Sequence, residues 1–258
     1  MHFFYLFTCK CVIRYIAMEK KTFKIHFLEH ASWVEPGFYI SWAEKHGYQV
    51  SFTRVWKYDD LPTTVDADML IVLGGPQNPE TTKEEYDYYD AEEEKKLIAL
   101  YAALGKIVVG SCLGAQLLGD AMGASFFHSP YPEVGHIRGS LTPEGRRDPL
   151  LKEFPDQFDM GEWHFDMPGL THNAEVLAYS DGCPHQIVRY DKFLYGFQTH
   201  MEMNQEFVVK ALRAYGGTAK VEGPYVQSEE ELLNYDYSKM NKLLESFLDN
   251  IVEEYLKK

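Results

Sequence analysis

Short apolar segments alternate with amphipathic segments along most of this chain. Met69–Leu73 reads MLIVL, and Lys106–Val109 is a second apolar run that leads directly into a glycine. Continuous apolar strands, as opposed to strands that alternate apolar and polar residues, are typical of a sheet covered on both faces. Segments with apolar residues at helical spacing lie between and after these runs. The alternation predicts one α/β domain with a mainly parallel central sheet and helices on both faces.

The same patterns predict where the individual elements lie. Strands are expected at Phe23–Leu28, Gln49–Arg54, Met69–Leu73, Lys106–Val109, Val176–Ala178, Gln186–Tyr190 and Leu194–Phe197. Helices are expected at Phe38–His46, Lys83–Leu104, Gln205–Tyr215 and Lys239–Lys257. The second of these helices carries acidic side chains that we interpret as a solvated outer face: Glu84, Glu85, Glu92, Glu93 and Glu94. This helix and the last one could each form a subunit contact, so a homodimer is an open alternative.

Residues 1–17 differ in character from the rest of the chain. They read MHFFYLFTCKCVIRYIA, which is aromatic and β-branched with almost no acidic residue, and Met18 follows directly. We expect translation to begin at Met18, with residues 1–17 as an extension outside the core. A signal peptide, an extra strand and a membrane-adhesive tail are the alternatives. Residues 18–258 are then expected to form a single domain, with a C-terminal helical extension from about residue 218. The Cys9-Lys10-Cys11 motif lies in the extension, so no catalytic role is expected for it.

Charge and cysteine content narrow the class of protein. The chain has 25 Lys and Arg against 39 Asp and Glu, a formal net charge of −14, and no basic stripe interrupts this balance. Nucleic acid and anionic membrane surfaces are therefore not expected as partners. No apolar run reaches the roughly 18 residues that a membrane-spanning helix needs. The four cysteines form no Cys-x-x-Cys pair and are too few for a disulfide scaffold, so a reducing, cytoplasmic location is expected.

A cysteine follows one of the apolar runs in a turn flanked by glycines. Gly110–Gly114 reads GSCLG, the pattern of a nucleophile elbow with cysteine where many hydrolases have serine. A helix that begins at Leu113 directs its free N–H groups and positive dipole end at the Cys112 sulfur, which favours the thiolate. The Leu113 N–H can also donate to an oxyanion. The alternative is a buried cysteine that serves as a small hydrophobic residue at a strand end.

Two further motifs follow predicted strands. Gly196–Glu202 reads GFQTHME, and residues two apart on an extended segment project to the same side. We therefore expect His200 and Glu202 to reach one pocket, where His200 can take the thiol proton and Glu202 can accept from the imidazole. Gly74–Gln77 reads GGPQ after MLIVL; its backbone N–H groups are candidates for the other half of an oxyanion hole. It is not a phosphate-binding loop, because no Gly-Lys-Ser/Thr follows.

These three motifs, in this order and spacing, resemble the class I glutamine amidotransferase family. The resemblance covers most of residues 21–215 and includes LGGPQNP, GSCLGAQLLGDAMGA and GFQTHMEM. Within the family, the chain looks most similar to stand-alone members that resemble the glutaminase half of GMP synthase. The resemblance implies a flavodoxin-like α/β core and a Cys-His-Glu triad that hydrolyses the glutamine side-chain amide through a γ-glutamyl thioester.

The resemblance assigns a role to each motif residue. Cys112 would be the nucleophile, His200 the base and Glu202 the orienting acid. One departure concerns Met201, because the family usually has proline between the histidine and the glutamate. Proline stiffens the backbone before the acid, so its absence affects how the Glu202 side chain is positioned. Both functional groups, the imidazole and the carboxylate, are still present.

The remaining assignments concern the substrate. The backbone of Gly75 and Leu113 would form the oxyanion hole, and Gln116 would help to hold glutamine or another γ-glutamyl small molecule. His164, in a His-x-Asp motif of the family, is expected to have a structural hydrogen-bonding role. No cofactor or metal is expected, because the other histidines do not fall at metal-ligand spacings: His128, His136, His172 and His185.

The physiological reaction stays open between several alternatives. The chain has no P-loop and no Ser-Gly-Gly-x-Asp-Ser loop, and the segment after Tyr215 is too short for a synthetase domain. Either a separate synthetase subunit takes the ammonia, or the protein is a stand-alone hydrolase of γ-glutamyl amides or peptides. A PfpI-type protease is disfavoured, because those enzymes have a histidine directly after the cysteine, where Leu113 stands here. A catalytically silent relative that binds a small molecule or a protein is the last alternative.

Overall fold

The computed structural model describes residues 22–258, so the expected extension at residues 1–17 lies outside the described residues. The strands are β1 Lys24–Glu29, β2 Gln49–Arg54, β3 Met69–Val72, β4 Ile107–Ser111, β5 Phe127–Leu141, β6 Gln157–Met167, β7 Glu175–Ser180, β8 Ile187–Asp191, β9 Leu194–Phe197 and β10 Tyr225–Val226. The helices are α1 Phe38–His46, α2 Ala91–Ala103, α3 Leu113–Ala121, α4 Pro143–Arg147, α5 Gln205–Tyr215, α6 Glu229–Asn234 and α7 Ser238–Leu256. None of these helices is both long enough and apolar enough to cross a bilayer.

The described strands all belong to one sheet. Its order is β10-β5-β7-β8-β9-β4-β3-β1-β2, and β6 pairs with β5. The contiguous block from β2 to β9 is parallel, and helices pack on both of its faces. This central block confirms the predicted architecture. From β9 through β8, β7 and β5 to β6 the pairing is antiparallel, which the sequence patterns did not predict.

The long β5–β6 hairpin escaped prediction because its inward-facing positions are not uniformly apolar. Buried Glu133 on β5 and buried Glu162 and His164 on β6 interrupt the apolar alternation. The register also shifts between His128 and Glu133, in a stretch that contains two prolines. Prolines and polar side chains both lower the strand signal in a sequence.

The acidic helix begins later than predicted. Helix α2 starts at Ala91 because Asp90 caps it, accepting a hydrogen bond from the Glu93 N–H at 3.2 Å. Residues 83–90 form turns instead. The interpretation of a wholly solvated acidic face was wrong for Glu94, which is fully buried and accepts a hydrogen bond from His30 Nε2 at 2.8 Å.

Helix α7 packs inside the chain. Its residues Leu244, Phe247, Leu248 and Ile251 are fully buried, and the Phe247 ring lies 4.8 Å from that of Phe197 on β9. The apolar stripe of this helix therefore completes the core next to the central sheet. The expectation that an exposed C-terminal helix forms a subunit contact was wrong for this face.

The approach of α3 to the sheet depends on two glycines. A Cβ atom on Gly114 would lie 2.0 Å from the Val72 carbonyl oxygen of β3, and one on Gly110 would lie 2.3 Å from the Gly114 carbonyl oxygen. Both contacts are with backbone, which cannot rotate away as a flexible side chain can. The strand–turn–helix unit at β4 and α3 is thus in direct backbone contact with the neighbouring strand.

We predict that Gly114→Ala lowers the free energy of unfolding by about 3 kcal/mol, the upper end of the cost of overpacking, because the new methyl group meets backbone. Gly223→Ala is the matched control, since its Cβ would lie 3.0 Å from the Cγ atom of Pro132 on the surface; we expect less than about 1 kcal/mol. Urea unfolding of the two variants and the parent measures this. Equal midpoints for the two variants would contradict the packing argument.

Candidate active site

Cys112 lies at the sharp turn between β4 and α3. Its backbone has φ 52° and ψ −111°, and Tyr58 is the only other non-glycine residue with positive φ in the described part of the chain. A non-glycine residue held in such a conformation costs on the order of 1–3 kcal/mol, so the surrounding packing must impose it. The turn places the sulfur at the N-terminus of α3, and the side chain is 8% exposed. The predicted elbow is present.

His200 lies next to this cysteine because β9 pairs with β4. The Cys112 N–H donates to the Phe197 carbonyl at the end of β9, and the chain then turns so that His200 and Cys112 line the same cavity. Glu202 Oε1 accepts a hydrogen bond from His200 Nδ1 at 2.7 Å. The expectation of an extended segment was wrong, since His200–Glu202 forms a turn beyond β9. The three side chains come together nevertheless.

Two residues that the sequence did not single out support Glu202 from behind. Ser111 Oγ donates to Glu202 Oε2 at 3.4 Å, and the Tyr39 hydroxyl lies 3.1 Å from Ser111 Oγ. All of these groups are buried. Ser111 could have been found as the residue that precedes the cysteine in the elbow, but nothing local in the sequence marks Tyr39.

The electrostatics of the cluster favour a protonated imidazole. Burial by itself lowers the pKa of His200, but the charges of Glu202 and Cys112 and their hydrogen bonds outweigh it and raise this pKa well above its usual value. Burial and the Glu202 charge also raise the pKa of Tyr39, so its hydroxyl stays neutral. An imidazolium beside the sulfur stabilises a thiolate.

The glycine turn after β3 lies against the same cluster. A Cβ atom on Gly74 would be 3.0 Å from His200 Cε1 and 3.3 Å from Cys112 Cβ, and one on Gly75 would be 3.1 Å from Leu113 Cδ2. As the first residue of α3, Leu113 has a backbone N–H with no partner inside the helix. Gly75 and Leu113 therefore lie against each other, next to Cys112.

A buried ion pair holds this glycine turn in place. His30 Nδ1 donates to the Gly74 carbonyl at 3.1 Å, while its Nε2 faces Glu94 Oε2 at 2.8 Å. Burial lowers the pKa of His30, but Glu94 and the carbonyl overcome this and raise it, so both ring nitrogens carry a proton. The sequence gives no signal for the pair, because the two residues lie on different elements far apart in the chain.

The cavity above the sulfur is narrow and largely aromatic. It has a volume of about 20 Å³ and is lined by Trp33, Val34, Gly75, Cys112, Trp163, His200, Phe207, Ala211 and Tyr215. The Trp163 and Tyr215 rings stack with centroids 5.2 Å apart. Such a volume accommodates about one water molecule and not a γ-glutamyl chain. Some of these walls must move before a substrate can reach Cys112.

Two other predicted residues lie away from this cavity. Gln116 is buried on α3, where its Nε2 donates to Gln198 Oε1 at 3.1 Å, and it does not line the cavity. His164 lies on β6 and is buried, with its Nε2 3.3 Å from Glu133 Oε2 and 3.0 Å from Glu162 Oε2. Among residues 22–258, the group able to hold a metal contains His164 and none of the histidines set aside above.

Comparison with known proteins places the chain in a family. The family description "Glutamine amidotransferase class-I" matches residues 41–207. The glutamine amidotransferase-like protein YfeJ of Salmonella typhimurium is 43% identical over 231 residues, which is 88% of this chain and 97% of that protein. A glutamine-hydrolysing GMP synthase subunit of Methanococcus maripaludis is 31% identical over 148 residues, covering 57% of this chain and 70% of that protein.

A solved structure agrees with these sequence matches. The crystal structure of SMU.1228c superimposes with a TM-score of 0.85 at 46% identity, covering 89% of this chain and 99% of that one. The family match spans more than half of the chain and includes the cysteine elbow and the His200–Glu202 turn. The chain belongs to the class I glutamine amidotransferase family.

Proposed function

We propose that this protein hydrolyses the amide of glutamine or of another γ-glutamyl compound through a thioester on Cys112. The observation that supports this most directly is the arrangement of Cys112 beside His200 on one cavity, with His200 hydrogen-bonded to Glu202 at 2.7 Å. Nucleophile, base and orienting acid are in contact in the order that acyl transfer requires. Family membership alone would not give this assignment, because one fold hosts many functions.

In the first step the Cys112 thiolate attacks the γ-carbonyl carbon. The new S–C bond converts the carbonyl into a tetrahedral oxyanion, to which we assign the N–H groups of Gly75 and Leu113 as donors. The oxyanion collapses and the C–N bond breaks, while the His200 imidazolium donates its proton to the departing nitrogen. Ammonia or an amine leaves, and a γ-glutamyl thioester remains on Cys112.

In the second step neutral His200 takes a proton from water as the water oxygen attacks the thioester. Collapse of the new tetrahedral species breaks the C–S bond, releases glutamate and restores the thiolate–imidazolium pair. Glu202 holds the imidazole in the orientation that both proton transfers need. We assign Gln116 a supporting role through Gln198, two residues before His200, instead of direct contact with substrate.

The small volume of the cavity limits the access of substrate to Cys112. Since about 20 Å³ cannot admit a γ-glutamyl chain, the site needs an opening event. Binding of a separate synthetase subunit that takes the ammonia would supply one, and we favour this over a stand-alone γ-glutamyl peptide hydrolase. The free thiol that the mechanism needs fits a reducing, cytoplasmic location.

We predict that the purified protein releases glutamate from glutamine or from a γ-glutamyl dipeptide, and that Cys112→Ala lowers this rate at least about a thousandfold. Cys11→Ala removes a thiol outside the described residues and is the matched control, with an unchanged rate expected. The measurement is enzymatic quantification of glutamate.

The substrate pattern separates the alternatives. Feeble turnover of glutamine by the isolated chain fits a synthetase-activated amidotransferase, whereas cleavage of the dipeptide well above glutamine would identify a stand-alone hydrolase. Full turnover by Cys112→Ala would refute the thioester mechanism. No turnover of either compound, together with a Cys112 that resists alkylation, would identify a silent relative.

We predict that Glu202→Gln slows alkylation of Cys112 by iodoacetamide at neutral pH roughly tenfold. A hydrogen bond to a charged group contributes about 1.5–3 kcal/mol, and about 1.4 kcal/mol corresponds to a factor of ten. Loss of the carboxylate lowers the raised pKa of His200, so the imidazolium persists only to a lower pH and the thiolate–imidazolium pair is less populated.

Mass spectrometry of Cys112 across the neutral pH range measures this effect. The rate profile of Glu202→Gln is expected to rise at higher pH than that of the parent. Exposed Glu222 provides the matched control, since Glu222→Gln should leave the profile where it was. Identical profiles for both variants would mean that Glu202 does not control the protonation of His200.

A further inference from the structure

A second cluster of reactive side chains is buried in the antiparallel part of the sheet. Glu133 on β5, His164 on β6 and Cys183 in the turn after β7 each contribute one potential ligand atom, and these atoms all lie within 4.8 Å of one another. The three residues are at most 2% exposed. The proposed hydrolysis of γ-glutamyl amides uses none of them, so what occupies the centre of this cluster is a separate question.

Glu162 lies beside His164, outside this group of three potential ligands. It is fully buried, and neither of its carboxylate oxygens has a hydrogen-bond donor of acceptable geometry. Its Oε2 lies 3.0 Å from His164 Nε2, and Glu133 Oε2 lies 3.3 Å from the same nitrogen. Two carboxylate oxygens thus approach one ring nitrogen, and a proton or a cation at that nitrogen offsets their charge.

The groups around the cluster fix its side chains in position. Ser180 Oγ and Gln186 Nε2 donate to Glu133 at 2.7 and 2.6 Å. The other ring nitrogen of His164, Nδ1, faces Ser129 Oγ at 3.4 Å, so Nε2 is the ring nitrogen that faces the carboxylates. Outer partners of this kind orient the ligands of protein metal sites.

We infer that Glu133, His164 and Cys183 form a structural binding site for one divalent cation of the zinc class, with the Glu162 carboxylate beside His164 as a further negative charge. Imidazole, thiolate and carboxylate together suit zinc and its analogue Co²⁺, whereas magnesium and calcium prefer oxygen ligands alone. Bonds of about 2.0–2.3 Å in a tetrahedron place ligand atoms roughly 3.3–3.8 Å apart. The 3.3 Å between Glu133 Oε2 and His164 Nε2 fits this range, and the other ligand pairs, which lie within 4.8 Å, have to close when the cation binds.

Such a cation would tie the hairpin to the site described above. Strand β6 carries both Glu162 and His164, and between them Trp163 lines the cavity over Cys112. One residue before Glu162, the Gly161 carbonyl accepts the His200 N–H at 2.7 Å. The cluster therefore lies on the far side of the strand that supports His200, and it would fix that strand from behind.

The competing state is a proton in place of the metal. His164 would then be an imidazolium between the two carboxylates, and the Cys183 thiol would be a bystander. The spacing of these residues along the sequence does not distinguish the two states, because the residues come from three separate elements. A direct test has to detect a metal–sulfur bond at Cys183.

The test uses the full chain with Cys9→Ser, Cys11→Ser and Cys112→Ser, which leaves Cys183 as the only cysteine. The metal-free protein is titrated with Co²⁺ and then with Zn²⁺. We expect one Co²⁺ per chain, a thiolate-to-cobalt charge-transfer band, and loss of this band when Zn²⁺ displaces the cobalt. Elemental analysis gives the stoichiometry independently of any enzymatic activity.

Two variants of this three-serine parent locate the site. Cys183→Ser should abolish the band, and Glu162→Gln should weaken Co²⁺ binding at least tenfold while retaining the band. No bound metal in the three-serine parent, or cobalt bound without a thiolate band, would overturn the proposal in favour of the protonated cluster. Because the parent alone decides this, the outcome does not depend on whether Cys183→Ser folds.

Discussion

Backbone contact between α3 and the parallel sheet is the constraint on which the site depends. Gly110 and Gly114 let the helix begin so close to β3 that no side chain fits at either position. The chain can make this approach only through a turn in which Cys112 has positive φ. The strain at Cys112 is therefore the consequence of tight packing on both sides, and the same packing presents the sulfur to the N-terminus of α3.

Buried polar pairs then position the groups around the sulfur. On one side His30 and Glu94 hold the carbonyl of the glycine turn, and on the other Ser111 and Tyr39 support Glu202. Each pair joins elements that are distant in the chain. A buried network of this kind specifies one arrangement, because any shift separates buried polar groups from their partners.

The sequence predicted the parallel half of the fold and the cysteine elbow well, and the physical reason is the same for both. Strands buried on both faces are continuously apolar, and the elbow needs glycines at fixed spacing, so each leaves a local pattern. The β5–β6 hairpin leaves none, since Glu133, Glu162 and His164 occupy interior positions and meet one another across strands.

Residues that act through distant partners were missed for a related reason. Tyr39, His30 and Trp33 reach the site only through the folding of the sheet, and an isolated tyrosine, histidine or tryptophan has no spacing that marks it. Glu94 even lies in an acidic run that predicts exposure, yet it is buried against His30. Local patterns in the sequence mark the strands, the helices and the cysteine elbow. The residues that surround Cys112 come from distant parts of the chain and leave no such pattern.

The pairing of β4 with β9 has a consequence for folding. The Cys112 N–H donates to the Phe197 carbonyl, and this single contact between distant parts of the chain brings the imidazole of His200 to the thiol. Before the two strands pair, Cys112 is an ordinary thiol in an unfolded chain; afterwards it has an imidazolium partner. Pulsed thiol labelling during refolding would thus time the closure of the central sheet at one residue, with the protein's own cysteine as the reporter.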